Sequence, residues 1–132
     1  MKFDYATQVA LEVLRAIGDA WALHRNNQNE EAIAQFRSIL DKHPDLVDPN
    51  YGLGLAYRAV GNKEQAVQAF QRAYDLASQT LREIRAETEA EGVAIATNLG
   101  RTDDDRFMML IRMLYQRLRE HGVDVSPTLL EG

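Results

Sequence analysis

YGLGLAYRAVGNKEQAVQAFQRAYD, residues 51–75, is echoed one period upstream. Shifting the chain by 34 residues superimposes Val13 on Val47, Gly18 on Gly52, Ala22 on Ala56, Glu30 on Glu64, Ala32 on Ala66, Phe36 on Phe70 and Asp41 on Asp75. Seven matches at one offset define a repeat architecture. Each copy is divided by a residue suited to the left-handed backbone that ends a helix, Gly61 in the second copy and Asn27 one period earlier. A copy therefore reads as helix, turn, helix, and the fold class is all-α.

Working outward, a first helix is expected from about Tyr5 to Asn26, with Asp4 as its cap. Its apolar residues, Val9, Val13, Leu14, Ile17, Ala20, Trp21 and Leu23, cover more than one stripe, so two faces should be buried. A second helix, about Asn29 to Lys42, presents Ala32, Ile33, Phe36, Ile39 and Leu40 before Pro44 stops it. Asp48-Pro49 reads as a capping aspartate and a first-turn proline opening a third helix that ends at Gly61. The fourth starts near Asn62, whose spacing to Gln65 is that of a capping box, and has no stop signal before Gly92. Val67, Phe70, Tyr74, Ala77, Leu81, Ile84 and Thr88 form a seam along it in steps of three and four. Gly92 to Arg101 reads as a linker, after which Thr102 and Asp105 open a last helix to about His121. The stretch from Gly122 to Gly132 is expected to be a flexible tail. The whole is read as one helical domain over 1–121, with repeats at about 13–46 and 47–80, an extended helix to 91 and a capping helix at 103–121.

Composition narrows the function classes. The 132 residues suit a single core. No apolar run approaches the roughly 20 residues of a membrane span, and Met1 to Ala10 has no signal-peptide core, so a cytoplasmic protein is expected. The absence of cysteine excludes disulfides, thiolate metal sites and cysteine nucleophiles. Fifteen basic against 20 acidic residues leave a net charge of -5, and the arginines between Arg82 and Glu91 are interspersed with glutamates, which argues against a nucleic-acid groove. No phosphate loop, nucleophile elbow or H-E-x-x-H is present, so no enzyme activity and no cofactor are predicted. His24, His43 and His121 lack metal-ligand spacing and read as solvated surface histidines, while Asp103-Asp104-Asp105 reads as helix-dipole chemistry.

The period and its residues resemble the tetratricopeptide repeat family, whose pattern runs from a large residue through Leu-Gly, Tyr, Ala and an aromatic to a Pro. The second copy matches with Leu53-Gly54, Tyr57, Ala66, Phe70 and Ala73, and departs at Asn50, where a large residue is usual, and at Ser78, where proline is usual. The first copy has Ala20, Leu23, Ala32, Phe36 and Pro44 in those places, with Ala16 and Asp19 as departures. The physical reason for the pattern is close helix approach at the small residues, Ala20 with Ala32 and Gly54 with Ala66, with an aromatic filling the wedge. A third copy would need Thr88, Gly100 and Asp104 at its key positions, and none fits. Two repeats are fewer than a solenoid needs, so the long helices and the apolar last helix are expected to cap an α-solenoid fragment of about five helices.

The resemblance implies a concave groove lined by the first helix of each repeat, here Ile17, Trp21, His24, Arg25, Tyr51, Leu55 and Arg58. Its centre lacks the donors of a carboxylate clamp, which leaves two readings. Either a protein or peptide partner lies on Trp21, Tyr51 and Leu55 with Arg25 and Arg58 orienting it, or the groove is filled by the chain's own C-terminal segment or a second copy. The last helix offers Phe107, Met108, Ile111, Leu114, Tyr115 and Leu118 as a cap or as the surface of a homodimer. A protein-interaction scaffold is the leading expectation and a self-assembling module the alternative, with neither nucleic acid nor membrane as partner.

Overall fold

The computed structural model describes the backbone of residues 5–90 and 98–125, and the side chains of residues 10–87 and 105–125. Five helices follow one another: α1 (Tyr5–Arg25), α2 (Asn29–Lys42), α3 (Val47–Ala59), α4 (Lys63–Ala90) and α5 (Asn98–Glu120). The chain divides into two compact units, Met1–Ala69 and Phe70–Gly132, with the division inside α4.

The helix ends show which local signals decide. Asn27 takes a φ of 63° and Gly61 one of 84°. At each, two backbone bonds satisfy the last carbonyls: Asn27 N–H to His24 O and Gln28 N–H to Leu23 O after α1, Gly61 N–H to Arg58 O and Asn62 N–H to Tyr57 O after α3. Asn62 caps α4 as its spacing predicts, accepting from Gln65 N–H at 3.3 Å. Asp48 does not cap α3. That helix opens two residues earlier, with Leu46 at the cap position and no side-chain cap bond, and Asp48 lies in the first turn, where its negative charge is favourable at the helix dipole's positive end.

In the first unit α1, α2 and α3 enclose a core of Ile17, Ala20, Ala32, Phe36, Ile39 and Ala56. Ala20 and Ala32 are fully buried, as expected of the small pair that lets α1 and α2 approach. The tightest contact joins the repeats. The fully buried ring of Phe36 on α2 ends against the backbone of α3 at Gly52, where an added Cβ would lie 2.6 Å from Phe36 Cε1 and 2.8 Å from Cε2. Gly18, one period earlier, meets nothing within 4 Å. The same residue type in the same repeat position is therefore obligatory in one copy and free in the other.

In the second unit the far part of α4 pairs with α5. The ring of Phe70 lies 5.9 Å from that of His121, and Tyr74, one turn on, feels Tyr115 earlier along α5, so the two segments run antiparallel. Phe70, Ala73, Tyr74, Ala77 and Leu81 are buried along one seam of α4, and Ile111, Leu114 and Leu118 are wholly buried along α5. α4 extends this far because Ser78 stands one period after Pro44: proline stops α2 at Lys42, whereas serine lets α4 continue to Ala90.

α5 begins at Asn98, four residues before the Thr102 start that the sequence suggests. Gly100 falls within the predicted linker, but an interior glycine costs only about 1 kcal/mol in a helix. The predicted linker narrows accordingly, and residues 91–97 lie outside the described backbone. Gly122–Val125, expected to be flexible, are held. Gly122 has a φ of 77°, its N–H bonds Arg119 O while Val123 N–H bonds Leu118 O, and Val125 is buried. Residues 126–132 of that tail are outside the described set.

The two glycines give a direct check. Gly18→Ala should raise stability by up to about 1 kcal/mol through helix propensity. Gly52→Ala should lower it by about 1–2 kcal/mol, because overpacking costs more than the propensity gain. Urea denaturation at low protein concentration measures both, and Phe36→Leu combined with Gly52→Ala should cost less than the two single changes added together.

Candidate functional site

α1 and α3 carry the residues expected from the sequence to form a row, and Trp21 is its centre. Its ring sits edge-on to Phe36 at 5.5 Å, to His24 at 6.0 Å and to Tyr51 at 6.3 Å between centroids. The contact with Tyr51 places the two helices side by side. The row is not evenly open: Ile17 is 8% exposed and Tyr51 6%, whereas Trp21, His24, Leu55 and Arg58 are half-buried and Arg25 is exposed. Trp21 and Leu55 remain as the accessible apolar pair, with the cation of Arg25 beside them on α1.

His24 is more constrained than a solvated surface residue. Its Nδ1 lies 2.6 Å from Asn29 Oδ1. Asn29 Nδ2 donates to Asn27 Oδ1 at 3.0 Å, so Asn29 Oδ1 is the acceptor and His24 Nδ1 carries the proton. This chain of bonds ties the last turn of α1 to the left-handed Asn27 and the start of α2, leaving Nε2 as the histidine's remaining polar atom. His121 makes a comparable bond from Nδ1 to Arg117 O at 2.8 Å. Both rings are thus held by the fold. His43 is half-buried and lines a cleft of about 570 Å³ between α1 and α2 with Glu12, Val13, Gln35, Ser38 and Lys42. None of the groove residues lines that cleft.

Asn50, a departure from the repeat pattern, has a structural explanation. It is buried on α3, and its Nδ2 donates to Leu46 O at 2.7 Å and Pro44 O at 3.2 Å, closing the turn that joins α2 to α3. One period earlier Ala16 has no such turn before it. Across the same pair of helices, Arg37 Nη1 donates to Tyr57 Oη at 3.4 Å.

Two family models, each described as a tetratricopeptide repeat, match the chain over residues 20–46 and 47–80. Residues 20–80 are two tetratricopeptide repeats. The matched spans abut at Leu46/Val47, where α3 begins, so the repeat boundary and the structural boundary coincide. No curated protein and no solved structure gives a significant match. Tetratricopeptide repeats serve generally in protein–protein interaction and scaffolding, and the family is generally non-catalytic.

Elsewhere in this tetratricopeptide repeat protein, the α5 residues divide. Ile111, Leu114 and Leu118 are fully buried in the chain itself, while Phe107, Met108 and Tyr115 are half-buried and Met109 is exposed. Among the described residues there is no group of three or more metal-ligating side chains, and no helix is long and apolar enough to cross a membrane. Asp103 and Asp104 lie outside the described side chains. Tyr74, buried on α4, has its pKa pushed above the usual 10.0 chiefly by that burial, with the neighbouring Tyr115 and Asp75 acting in the same direction and Arg82 opposing them.

Sequence reasoning missed the His24–Asn29–Asn27 chain and the two hydrogen bonds that Asn50 donates, because neither follows from periodicity. The run NNQN at 26–29 was the available signal for the first.

Asn50→Asp should destabilise by about 1–3 kcal/mol near neutral pH, since it replaces a donor by a carboxylate facing two carbonyls. The deficit relative to wild type should shrink on acidification, because a protonated carboxyl can again donate. Denaturant titrations at two pH values check this. Tyr74 supplies the opposite limb. With its folded pKa raised, its contribution is intact below the unfolded pKa and is lost as pH rises through the folded value. Tyr74→Phe should therefore lose less stability than wild type as pH rises above about 10, read from thermal melts at increasing pH.

Proposed function

We propose that the chain is a non-catalytic scaffold module that binds a protein or peptide along the α1 and α3 face. The supporting observation is that Trp21 and Leu55 stay half-exposed on neighbouring first helices while Ile17 and Tyr51 beneath them are buried. A rigid aromatic supported on three sides by other rings is a favourable anchor, because it loses little side-chain entropy when a partner covers it. The chemistry fits an apolar segment with an acidic residue directed at Arg25, and Arg58 stands one helix away on the same row. His24, with Nδ1 engaged, has Nε2 for a polar contact at the edge. No role is assigned to nucleic acid or to a membrane surface.

The alternative assignment, a homodimer through α5, has less surface to work with. Ile111, Leu114 and Leu118 are already within the chain's own core, which leaves the half-buried Phe107, Met108 and Tyr115 with the exposed Met109 and Met113.

A displayed peptide library selected on the full chain tests the groove. Trp21→Ala is a poor probe because Trp21 also packs on Phe36. Leu55→Asp and Arg25→Glu change the row at its accessible positions. Enriched peptides should carry apolar and acidic residues and lose about ten-fold or more affinity for each variant, with the melting temperature of Arg25→Glu unchanged. Peptides that bind wild type and both variants equally would rule out this face as the binding site.

A further inference from the structure

α1 keeps open a face that its repeat counterpart α3 does not. Pro49, Gly52 and Ala56 are buried along α3, but the residues one period earlier, Arg15 and Gly18, are exposed and Ala22 is only half-buried. Space for a neighbour is present at Gly18, where a built Cβ meets nothing within 4 Å. Two large apolar residues lie on this strip, Leu11 at 49% and Leu14 at 64% exposed. Leu11, Leu14, Gly18 and Ala22 follow the three-and-four spacing of one helix stripe. Arg15 and Asp19, both exposed and one turn apart, run along one edge of it.

We propose that a second copy of this chain covers the face, with α1 packed antiparallel on α1 of the partner about a two-fold axis. Charge complementarity selects this occupant. In an antiparallel, two-fold pair each edge of a helix meets the same edge of its partner, so an edge of one sign would repel itself. Here Arg15 lies between two exposed anions of the edge, Glu12 and Asp19, and a register centred midway between Arg15 and Asp19 brings Arg15 of each copy to the partner's Asp19, twice. That same register sets Leu14 over the gap between the partner's Gly18 and Ala22. Small residues there let the axes approach, and a large residue fills the depression, the geometry that Phe36 and Gly52 already show between the repeats. Charge and shape thus agree on one alignment. The strip uses neither Leu55 nor Arg58, and Arg25 follows Ala22 at its C-terminal end, so the pairing is tested at Leu14 and Arg15, which the peptide-binding reading does not use.

Sedimentation equilibrium of the full chain from about 1 to 300 µM is the test. A monomer–dimer equilibrium is expected, with Leu14→Glu and Arg15→Glu each weakening it about ten-fold or more. The double reversal Arg15→Glu with Asp19→Arg should restore it, because the two sites exchange roles across the axis. These positions are exposed, so circular-dichroism melts at the lowest concentration should match wild type. A chain that stays monomeric throughout overturns the proposal. So does a dimer indifferent to Leu14→Glu and Arg15→Glu, a dimer abolished by Met109→Glu instead, or a single reversal that the double reversal fails to rescue.

Discussion

The contact of Phe36 with the backbone of Gly52 is the constraint on which the first unit depends. A fully buried ring of this size contributes about 2–3 kcal/mol by burial, but its larger role is geometric: it holds α2 against α3 at a distance only glycine allows. Trp21 then stands edge-on to Phe36 and brings α1 to Tyr51 on α3, so one ring couples the packing within a repeat to the packing between repeats. The accessible row of Trp21 and Leu55 is a consequence of that arrangement. A side chain supported by a core contact inherits its rigidity, which lowers the entropy lost when it is covered.

The second unit arises from a missing stop. Where Pro44 ends α2, Ser78 permits α4 to run on for a further three turns or so, and its seam is matched by Ile111, Leu114 and Leu118 of α5. The excess of apolar residues on α5 therefore has an intramolecular explanation. What it leaves outside, the exposed Met109 and Met113 and the half-buried Phe107, Met108 and Tyr115, is a smaller surface than the sequence alone implies.

Much of this was legible from residues because the signals were local or periodic. The offset of Gly18 to Gly52 and Phe36 to Phe70 identifies the repeat, Asn27 and Gly61 mark turns through backbone sterics, and Asn62 caps through its own side chain. The misread positions are those where a local preference yielded to its surroundings. Asp48 has the chemistry of a cap but lies inside the turn that Asn50 closes through Pro44 and Leu46. The glycine at 100, inside the predicted linker, and the start signal at Thr102 are local preferences of about 1 kcal/mol each, too small to decide a boundary once a helix bearing three fully buried side chains is in place. His24 looked solvated because its partner Asn29 lies across a turn.

By itself the sequence determined the two tetratricopeptide repeats, their turns and the helical class, since these follow from spacing and from the few residues with distinctive backbone freedom. Only the tertiary structure decided which members of the groove row are core and which are surface. Ile17 and Trp21, or Tyr51 and Leu55, are adjacent apolar positions one turn apart, and nothing in either residue says which will be covered. Burial depends on what packs from elsewhere in the chain, and in Gly18 and Gly52 that difference separates two otherwise identical positions.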